Sequence, residues 1–409
     1  MPVENKNNMK NILFITLQYD INNESEYIAM SKNGLQTAVN TYQTELIKGF
    51  STKEDVNVQI VNTIPIGIFP TKCKKILFKN REWAVESMPC KEIGFINLPI
   101  VKQYMRYRNY YKAVKKWVDE TNGERFVIIY SLYLPFEKVA LKIKKIFPFV
   151  KIILICADLP CKYGILPKNR LKSFIYSKYG EKTMSLSTIF DGYILLTEQM
   201  KYPLQINNKP YIVVEAVVEQ KQSHFMTEKF NNKMLLYAGT LNYKFGIENL
   251  VKAFQLIKSK EYKLVVCGEG EASEYIKSWQ KKDSRIEYLG FQSQEKIKEL
   301  EKKARLLVNP RPNEGEYTKY SFPSKTVEYM ESGTPVLMFK LSGVPDEYDN
   351  YLYYFNENDV YSMSAKIVEI CEKPDNELID FGLRAKFFVK NQKNGKEHAN
   401  NILKFLEEV

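Results

Sequence analysis

Histidine is almost missing from this 409-residue chain, which holds only His224 and His398. Cysteine offers little more. Cys73, Cys90, Cys156, Cys161, Cys267 and Cys371 are scattered, with no C-x-x-C pair and no His/Cys cluster. That pattern argues against a zinc site and a disulfide framework and suits a reducing compartment. No D-x-D motif is present, and no metal site is expected. The N-terminus is polar, and no apolar run approaches the roughly 18 residues that suggest a membrane span. The expectation is a cytoplasmic protein with neither a signal nor a span. Repeats of solenoid period and low-complexity tracts are also lacking. Both histidines read as structural or surface residues.

What is present points to packed cores. Hydrophobic residues make up 44% of the chain and aromatics 13%. At this length two domains of about 200 residues are expected. The formal net charge is +12, and all of the excess sits in the first half. Residues 1–205 hold 30 Lys+Arg against 18 Asp+Glu, whereas residues 206–409 hold 30 of each. An acidic partner is therefore expected for the first half only. The stretch "VKQYMRYRNYYKAVKKW" (101–117) spreads Lys102, Arg106, Arg108, Lys112, Lys115 and Lys116 along a helix among tyrosines. No nucleic-acid recognition motif accompanies it. It reads as an amphipathic face for an anionic membrane surface, with an ordinary solvated helix as the alternative.

Apolar strand-like runs alternate with helical patterns throughout. In the first half "NILFITL", "VNVQIVNT", "EIGFINLP", "RFVIIYSLY", "KIILICADLP" and "DGYILLT" read as strands. In the second half "KMLLYAGT", "YKLVVCGEG", "RIEYLGF", "RLLVNPRP" and "TPVLMF" do the same, with "PSKTVEYMES" a helix closed by Gly333. Such alternation predicts α/β domains built on parallel sheets. The expected boundaries are 1–204 and 233–385, with 205–232 as a linker and a last helix, about 386–409, packing back on the first domain.

In open parallel sheets ligands bind beyond the carboxyl ends of the strands. In the second half those positions hold Gly239-Thr240, Gly268-Glu269-Gly270, Gly290-Phe291 and Asn309-Pro310-Arg311-Pro312, then "NEGEYTKYSFPSK". Small residues let a ligand approach the backbone. Arg311 and Lys325 add positive charge beside a helix start near Pro323, which suits a diphosphate. Ser324, Lys325 and Glu328 share one helix face, and Glu328 is placed to accept hydrogen bonds from ribose hydroxyls.

The segment "NPRPNEGEYTKYSFPSKTVEYMESGTPVL" resembles the donor-binding segment of glycosyltransferase family 4, of the bacterial cell-surface polysaccharide type. The family signature E-G-F-G-x-x-x-x-E appears here as Tyr320-Ser321-Phe322-Pro323-Ser324-Lys325-Thr326-Val327-Glu328. Tyr320 replaces the first glutamate, with Glu314 and Glu316 as nearby substitutes. The family's G-R-L-x-x-x-K-G pattern reads Gly239-Thr240-Leu241-Asn242-Tyr243-Lys244-Phe245-Gly246, with threonine for arginine and the lysine displaced to Lys244. The resemblance implies a GT-B fold, two Rossmann-like doubly wound domains facing a cleft, and a retaining, metal-independent hexosyl transfer. The donor would be a UDP- or GDP-linked sugar, with no further cofactor. Donor contacts would come from Gly239, Thr240, Gly268, Phe291, Tyr320, Ser321, Phe322, Pro323, Ser324 and Glu328, with Arg311 and Lys325 on the phosphates. On the acceptor side, "GLQTAVNTYQTELI" is similar to the family's glycine-rich loop, placing Gly34 near the reacting centre. Asp158 in "CADLP" would orient a sugar hydroxyl or assist charge development at the anomeric carbon. The acceptor would be a glycan or a lipid-linked molecule, on the inner face of the membrane. The alternatives are a non-catalytic partner protein of the same fold, or a nucleotide-sugar epimerase.

Overall fold

The computed structural model describes residues 9–32, 34–160, 169–219 and 233–409. The chain forms two compact units, Met1–Glu219 with Asn394–Val409, and Gln220–Lys393.

The first unit runs β1 (Lys10–Thr16), α1 (Glu24–Met30), α2 (Thr37–Lys48), β2 (Val56–Asn62), β3 (Leu77–Phe78), β4 (Arg81–Val85), β5 (Met88–Glu92) and β6 (Phe95–Ile96). Then follow α3 (Pro99–Glu120), β7 (Arg125–Tyr130), α4 (Leu134–Ile146), β8 (Lys151–Cys156), α5 (Arg170–Leu186), β9 (Gly192–Leu195) and β10 (Tyr211–Val213). Eight strands make one sheet in the order β10-β9-β8-β7-β1-β2-β5-β4. All neighbours pair in parallel except β4 with β5. In β7 and β8 every residue but the first is buried, because helices cover both faces of a parallel sheet. The helices α3, α4 and α5 pack in succession, while α2 packs elsewhere, on the last helix of the chain. The two groups follow from strand order. Right-handed crossovers running in opposite directions along a sheet place their helices on opposite faces.

The second unit runs β11 (Lys233–Ala238), α6 (Ile247–Leu256), β12 (Tyr262–Cys267), α7 (Ser273–Gln280), β13 (Ile286–Gly290) and α8 (Gln294–Lys303). It continues through β14 (Leu306–Asn309), α9 (Ser324–Ser332), β15 (Val336–Met338), β16 (Tyr353–Tyr354), α10 (Val360–Cys371) and α11 (Asp375–Gln392). Its sheet, β13-β12-β11-β14-β15-β16, is parallel throughout. In α6, Ile247, Leu250, Val251 and Phe254 bury one stripe at helical spacing. As the sequence suggests, α9 stops at Gly333, whose φ is +76°.

The final helix, α12 (Gly395–Leu406), belongs to the first unit. Asn394 caps it through a 3.0 Å bond from Glu397 N–H. Ala399, Ile402, Phe405 and Leu406 join the core of Phe14, Leu46 and Ile60. His398 is buried, with Nε2 2.8 Å from the Ala216 carbonyl oxygen, and is structural. His224 lies outside the described residues.

Three local expectations need revising. "EIGFINLP" is not one strand. β5 ends at Glu92, and Phe95–Ile96 pair antiparallel with β3 in a separate two-stranded sheet. Within the stretch read as linker, Tyr211–Val213 form the edge strand β10, because an apolar run beside the exposed edge of β9 gains a ladder there. The third concerns α3. Lys102 and Arg106 do not face solvent, since both are 4% exposed. With Tyr110 and Val114 they lie at four-residue spacing along the buried stripe. Lys102 Nζ donates to the Ile66 carbonyl at 2.5 Å, and Arg106 donates to Ile64 O at 2.7 Å and to Tyr133 Oη at 3.1 Å. These cations satisfy carbonyls beyond β2. Burial draws Lys102 down to about 7.

One buried acid gives a pH prediction. Glu137, in the first turn of α4, is 0% exposed, and neither carboxylate oxygen has a hydrogen-bond partner among the described residues. Burial pushes it up to about 8. A folded-state pKa above the unfolded value gives stability that is complete below about pH 4.5. That stability is lost as pH rises through about 8. Glu137→Gln should therefore leave melting unchanged near pH 5 and raise Tm by about 3–8 °C near pH 9. A Tm difference that stays flat across that range would show that Glu137 titrates normally.

Candidate active site

Strand order in the second unit reverses between β11 and β14, the place where sheets of this kind bind ligands, at the carboxyl ends of the strands. Long-range contacts shape it. Tyr329 of α9 is buried and locks to the last residue of β11, accepting from Ala238 N at 2.8 Å and donating to Ala238 O at 3.1 Å. Tyr237 Oη donates to Thr240 O at 2.8 Å and closes the turn that carries Gly239 and Thr240. The β12 loop lies directly against this turn. Gly268 has φ +127°, and a Cβ there would sit 1.9 Å from Gly239 O. On the β14 side, a Cβ on Gly246 would sit 2.0 Å from Pro310 O, so the start of α6 abuts the loop leading to Arg311.

Arg311 is the central cation. Its guanidinium lies 5.5 Å from the Phe245 ring centroid and 5.0 Å from that of Tyr317. Nη2 donates to Ser321 Oγ at 2.8 Å, and Ser321 Oγ donates to Tyr317 O at 3.1 Å. Nε is buried with no partner. Burial lowers the Arg311 pKa from its usual value, but an arginine stays charged at any physiological pH. Among the described residues no carboxylate pairs with it. Arg305, six residues earlier, is the contrast. It is buried, where Arg311 is half-buried, and it meets Asp375 at 2.7 Å and the carbonyls of Cys371 and Lys373 at 2.6 and 2.8 Å. One arginine is neutralised within the fold. The other is half-buried and, among the described residues, carries its charge without a counter-ion.

Lys244 stands 5.4 Å from Phe245 and 5.9 Å from Tyr317, the same two rings, and also makes no ion pair among the described residues. The structure thus groups Lys244 with Arg311. Lys325 instead pairs with Glu328 on α9. Their side chains are 33% and 45% exposed, and such a pair contributes about 0–1 kcal/mol and rearranges readily. α9 begins behind Pro323 with no side-chain cap, so its first amide N–H groups are open to an anion.

The remaining expected donor residues differ in what they offer. Ser324 is exposed at the helix start, and Phe291 is 76% exposed. Phe322 is 7% exposed, its ring 5.4 Å from Tyr348, so its side chain serves packing and only its backbone faces the loop. Pro323 is buried. Tyr320 Oη donates to Glu316 at 3.4 Å, while Glu314 accepts from Asn358 at 2.6 Å. Among the described residues no group of three His, Cys, Asp or Glu could hold a metal ion.

In the first unit the sheet order reverses between β1 and β7. Three amide side chains hold the loop after β1. Gln43 binds both N–H and C=O of Leu17 (3.0 and 2.8 Å), Asn62 those of Gln18 (2.8 and 3.0 Å), and Asn40 those of Tyr19 (2.8 and 3.2 Å). After β7, Ser131 adopts φ +71°, an uncommon and strained conformation for a non-glycine residue that clusters at functional loops. Asp158 follows β8. Its surface is open to solvent, yet desolvation by surrounding protein holds its carboxyl above the usual range. Its carboxylate makes no bond among the described residues. Gly34 is exposed at φ +72°, its carbonyl accepting from Ser31 Oγ at 2.7 Å, and precedes the uncapped start of α2. Sequence reading missed the aromatic pair Phe245 and Tyr317, the Tyr329 lock and the three amide clamps. Only Lys244 had left a trace, in the displaced lysine.

Two Rossmann-like domains of this kind define the GT-B fold, and solved structures agree. The chain is similar to sucrose-phosphate synthase from Thermosynechococcus elongatus, with a TM-score of 0.64, 14% identity and 98% of each chain covered. It is also similar to Anabaena HepE in complex with UDP, with a TM-score of 0.61, 12% identity, and 98% of this chain and 100% of that one covered. Residues 219–394 match the family model of glycosyl transferases group 1, so the second unit carries a domain of that group. An uncharacterised glycosyltransferase of Methanocaldococcus jannaschii is 27% identical over 167 residues, which span 40% of this chain and 40% of that protein.

Proposed function

We propose that the protein is a retaining, metal-independent glycosyltransferase that moves a hexose from a UDP- or GDP-linked donor to a glycan or lipid-linked acceptor. The observation that carries this reading is the uncompensated Arg311. A desolvated guanidinium beside Lys244 and an open helix start favours a diphosphate, whose charge grows as the glycosidic bond breaks. Lys325 would turn from Glu328 to the same phosphates, freeing Glu328 to accept the ribose hydroxyls. The glycines of the β11 and β12 loops let the donor lie against the backbone. Asp158 and the Gly34 loop would serve the acceptor side, Asp158 orienting a sugar hydroxyl while oxocarbenium character develops. The UDP held by HepE supports this assignment of the donor. The basic first half suits surface polysaccharide assembly at the cytoplasmic face of a membrane.

Calorimetric titration with UDP and GDP tests the site, and incubation with a panel of nucleotide sugars tests the chemistry. At least one nucleoside diphosphate should bind, and its sugar should be released slowly as free hexose. Failure of both nucleotides to bind would refute the donor site. Glu328→Gln should raise KM for the donor about tenfold with little change in kcat, because ribose contacts act in ground and transition states alike. An unchanged KM would remove Glu328 from the site. Tyr320, standing where the family carries glutamate, favours a second reading, a partner protein that binds nucleotide without catalysis. Nucleotide binding without any hexose release would select it.

A further inference from the structure

The first turns of α5 carry a surface that sugar transfer does not need. Leu171, Phe174 and Ile175 are 70%, 61% and 55% exposed, on one helix face at spacings of three and four residues. Tyr176 beside them is 48% exposed. Residues 169–180 hold three cations, Arg170, Lys172 and Lys178, and no acid. Arg170 and Lys172 make no ion pair among the described residues. Large apolar side chains standing free among unpaired cations are costly in water and normally mark a contact surface.

The neighbouring helices extend the same character. α3, α4 and α5 form one layer, and all three run antiparallel to the strands they precede, so their N-termini lie at the carboxyl edge of the sheet. α3 there exposes Ile100 (85%) and Tyr104 (63%). One and two turns further along lie Arg108 and Lys112, exposed and without ion pairs among the described residues, whereas Lys115 and Lys116 pair with Asp119 and Glu120. The basic excess of the first half therefore reaches solvent here beside apolar tips, and not along the whole of α3.

We propose that this edge, centred on α5, docks on an anionic lipid bilayer, inserting Leu171, Phe174 and Ile175 among the acyl chains while Arg170, Lys172, Arg108 and Lys112 meet acidic headgroups. Apolar residues flanked by cations match the interface of such a membrane, whereas a protein partner of ordinary polarity would leave the unpaired cations unanswered. Among the described residues no helix is long and apolar enough to cross a membrane, so the attachment is peripheral. The inference deepens the reading of a lipid-linked acceptor, but vesicle binding requires no catalysis.

Flotation of the full chain with vesicles of phosphatidylglycerol and phosphatidylcholine, against phosphatidylcholine alone, tests it. The wild type should float with the anionic vesicles and at least about tenfold less with neutral ones. A double change Phe174→Ser and Ile175→Ser should cut flotation by about tenfold or more. Arg170→Gln with Lys172→Gln should remove most of the preference for anionic lipid. All variants should keep wild-type melting and nucleotide titration, since the changed side chains are exposed. A wild type that stays at the bottom of the gradient with anionic vesicles overturns the proposal, and so does a Phe174/Ile175 variant that floats unchanged. Loss of nucleotide binding with flotation intact would strike the donor site and leave this surface standing.

Discussion

Arg311→Ala should lower turnover of the nucleotide-sugar donor by about a hundred- to a thousandfold, equivalent to about 3–4 kcal/mol of lost transition-state stabilisation. The Arg311 side chain is as notable for the partners it lacks as for those it has. Phe245 and Tyr317 flank it, Ser321 takes one donor, and among the described residues Nε is unpartnered and no carboxylate answers the charge. A half-buried cation without a counter-ion adds little stability to the free protein, so removing it should leave Tm unchanged or slightly raised. Arg305→Ala should behave in the opposite way. Its bonds to Asp375, Cys371 O and Lys373 O hold the β14 edge to the end of α10, and losing them should cost about 3 kcal/mol of stability. Turnover measured below the melting transition should survive. An Arg311→Ala enzyme with wild-type kcat/KM would remove the diphosphate site from this position, whatever else the protein does. Arg311→Lys should recover only part of the activity, because an ammonium cannot replace a planar fork stacked between two rings.

Gly268→Ala should cost the second unit about 3 kcal/mol or more and abolish nucleotide binding together with it. Two independent penalties combine. The backbone sits at φ +127°, where a Cβ is strained, and that Cβ would stand 1.9 Å from the Gly239 carbonyl oxygen. Neither partner can yield cheaply. Gly239 is held by its N–H bond to Cys267 O at 3.0 Å, and the residue before it is clamped by Tyr329. Separating the β11 and β12 loops would pull apart the floor on which the donor is proposed to lie. Gly290→Ala makes an informative control. Its φ is +66°, but no atom lies within 4 Å of the added methyl group, so only the conformational cost of about 1 kcal/mol applies. Equal melting shifts for the two variants would show that the loops do not meet as closely as the structure has them.

The architecture was legible in the sequence because its signals are local. Runs such as "KLVVC" and "RLLVN" are apolar on both sides of the strand, which only a sheet covered on two faces tolerates. The glycines, Asn309-Pro310-Arg311 and Pro323-Ser324 punctuate the strand ends and helix starts where ligands of such sheets bind. Weak pairing signals were harder to read. The two-residue strand β6 and the edge strand β10 exist only because partners are presented to them from elsewhere in the chain.

Charge was the part that sequence could locate but not interpret. The chain by itself determined that two α/β domains would form, that the first would be basic, and that Arg311, Lys325 and Glu328 would stand near the ends of parallel strands. Tertiary structure alone decided which charges are answered: Arg305 by Asp375 and two carbonyls, Lys102 and Arg106 by carbonyls beyond β2, Lys325 by Glu328, and, among the described residues, Arg311 by the Ser321 hydroxyl and two aromatic rings and Lys244 by the same rings. The physical reason is one of range. Helix and strand periodicity arises from neighbours a few residues apart, whereas a counter-ion is supplied by whichever distant segment packing brings within about 4 Å.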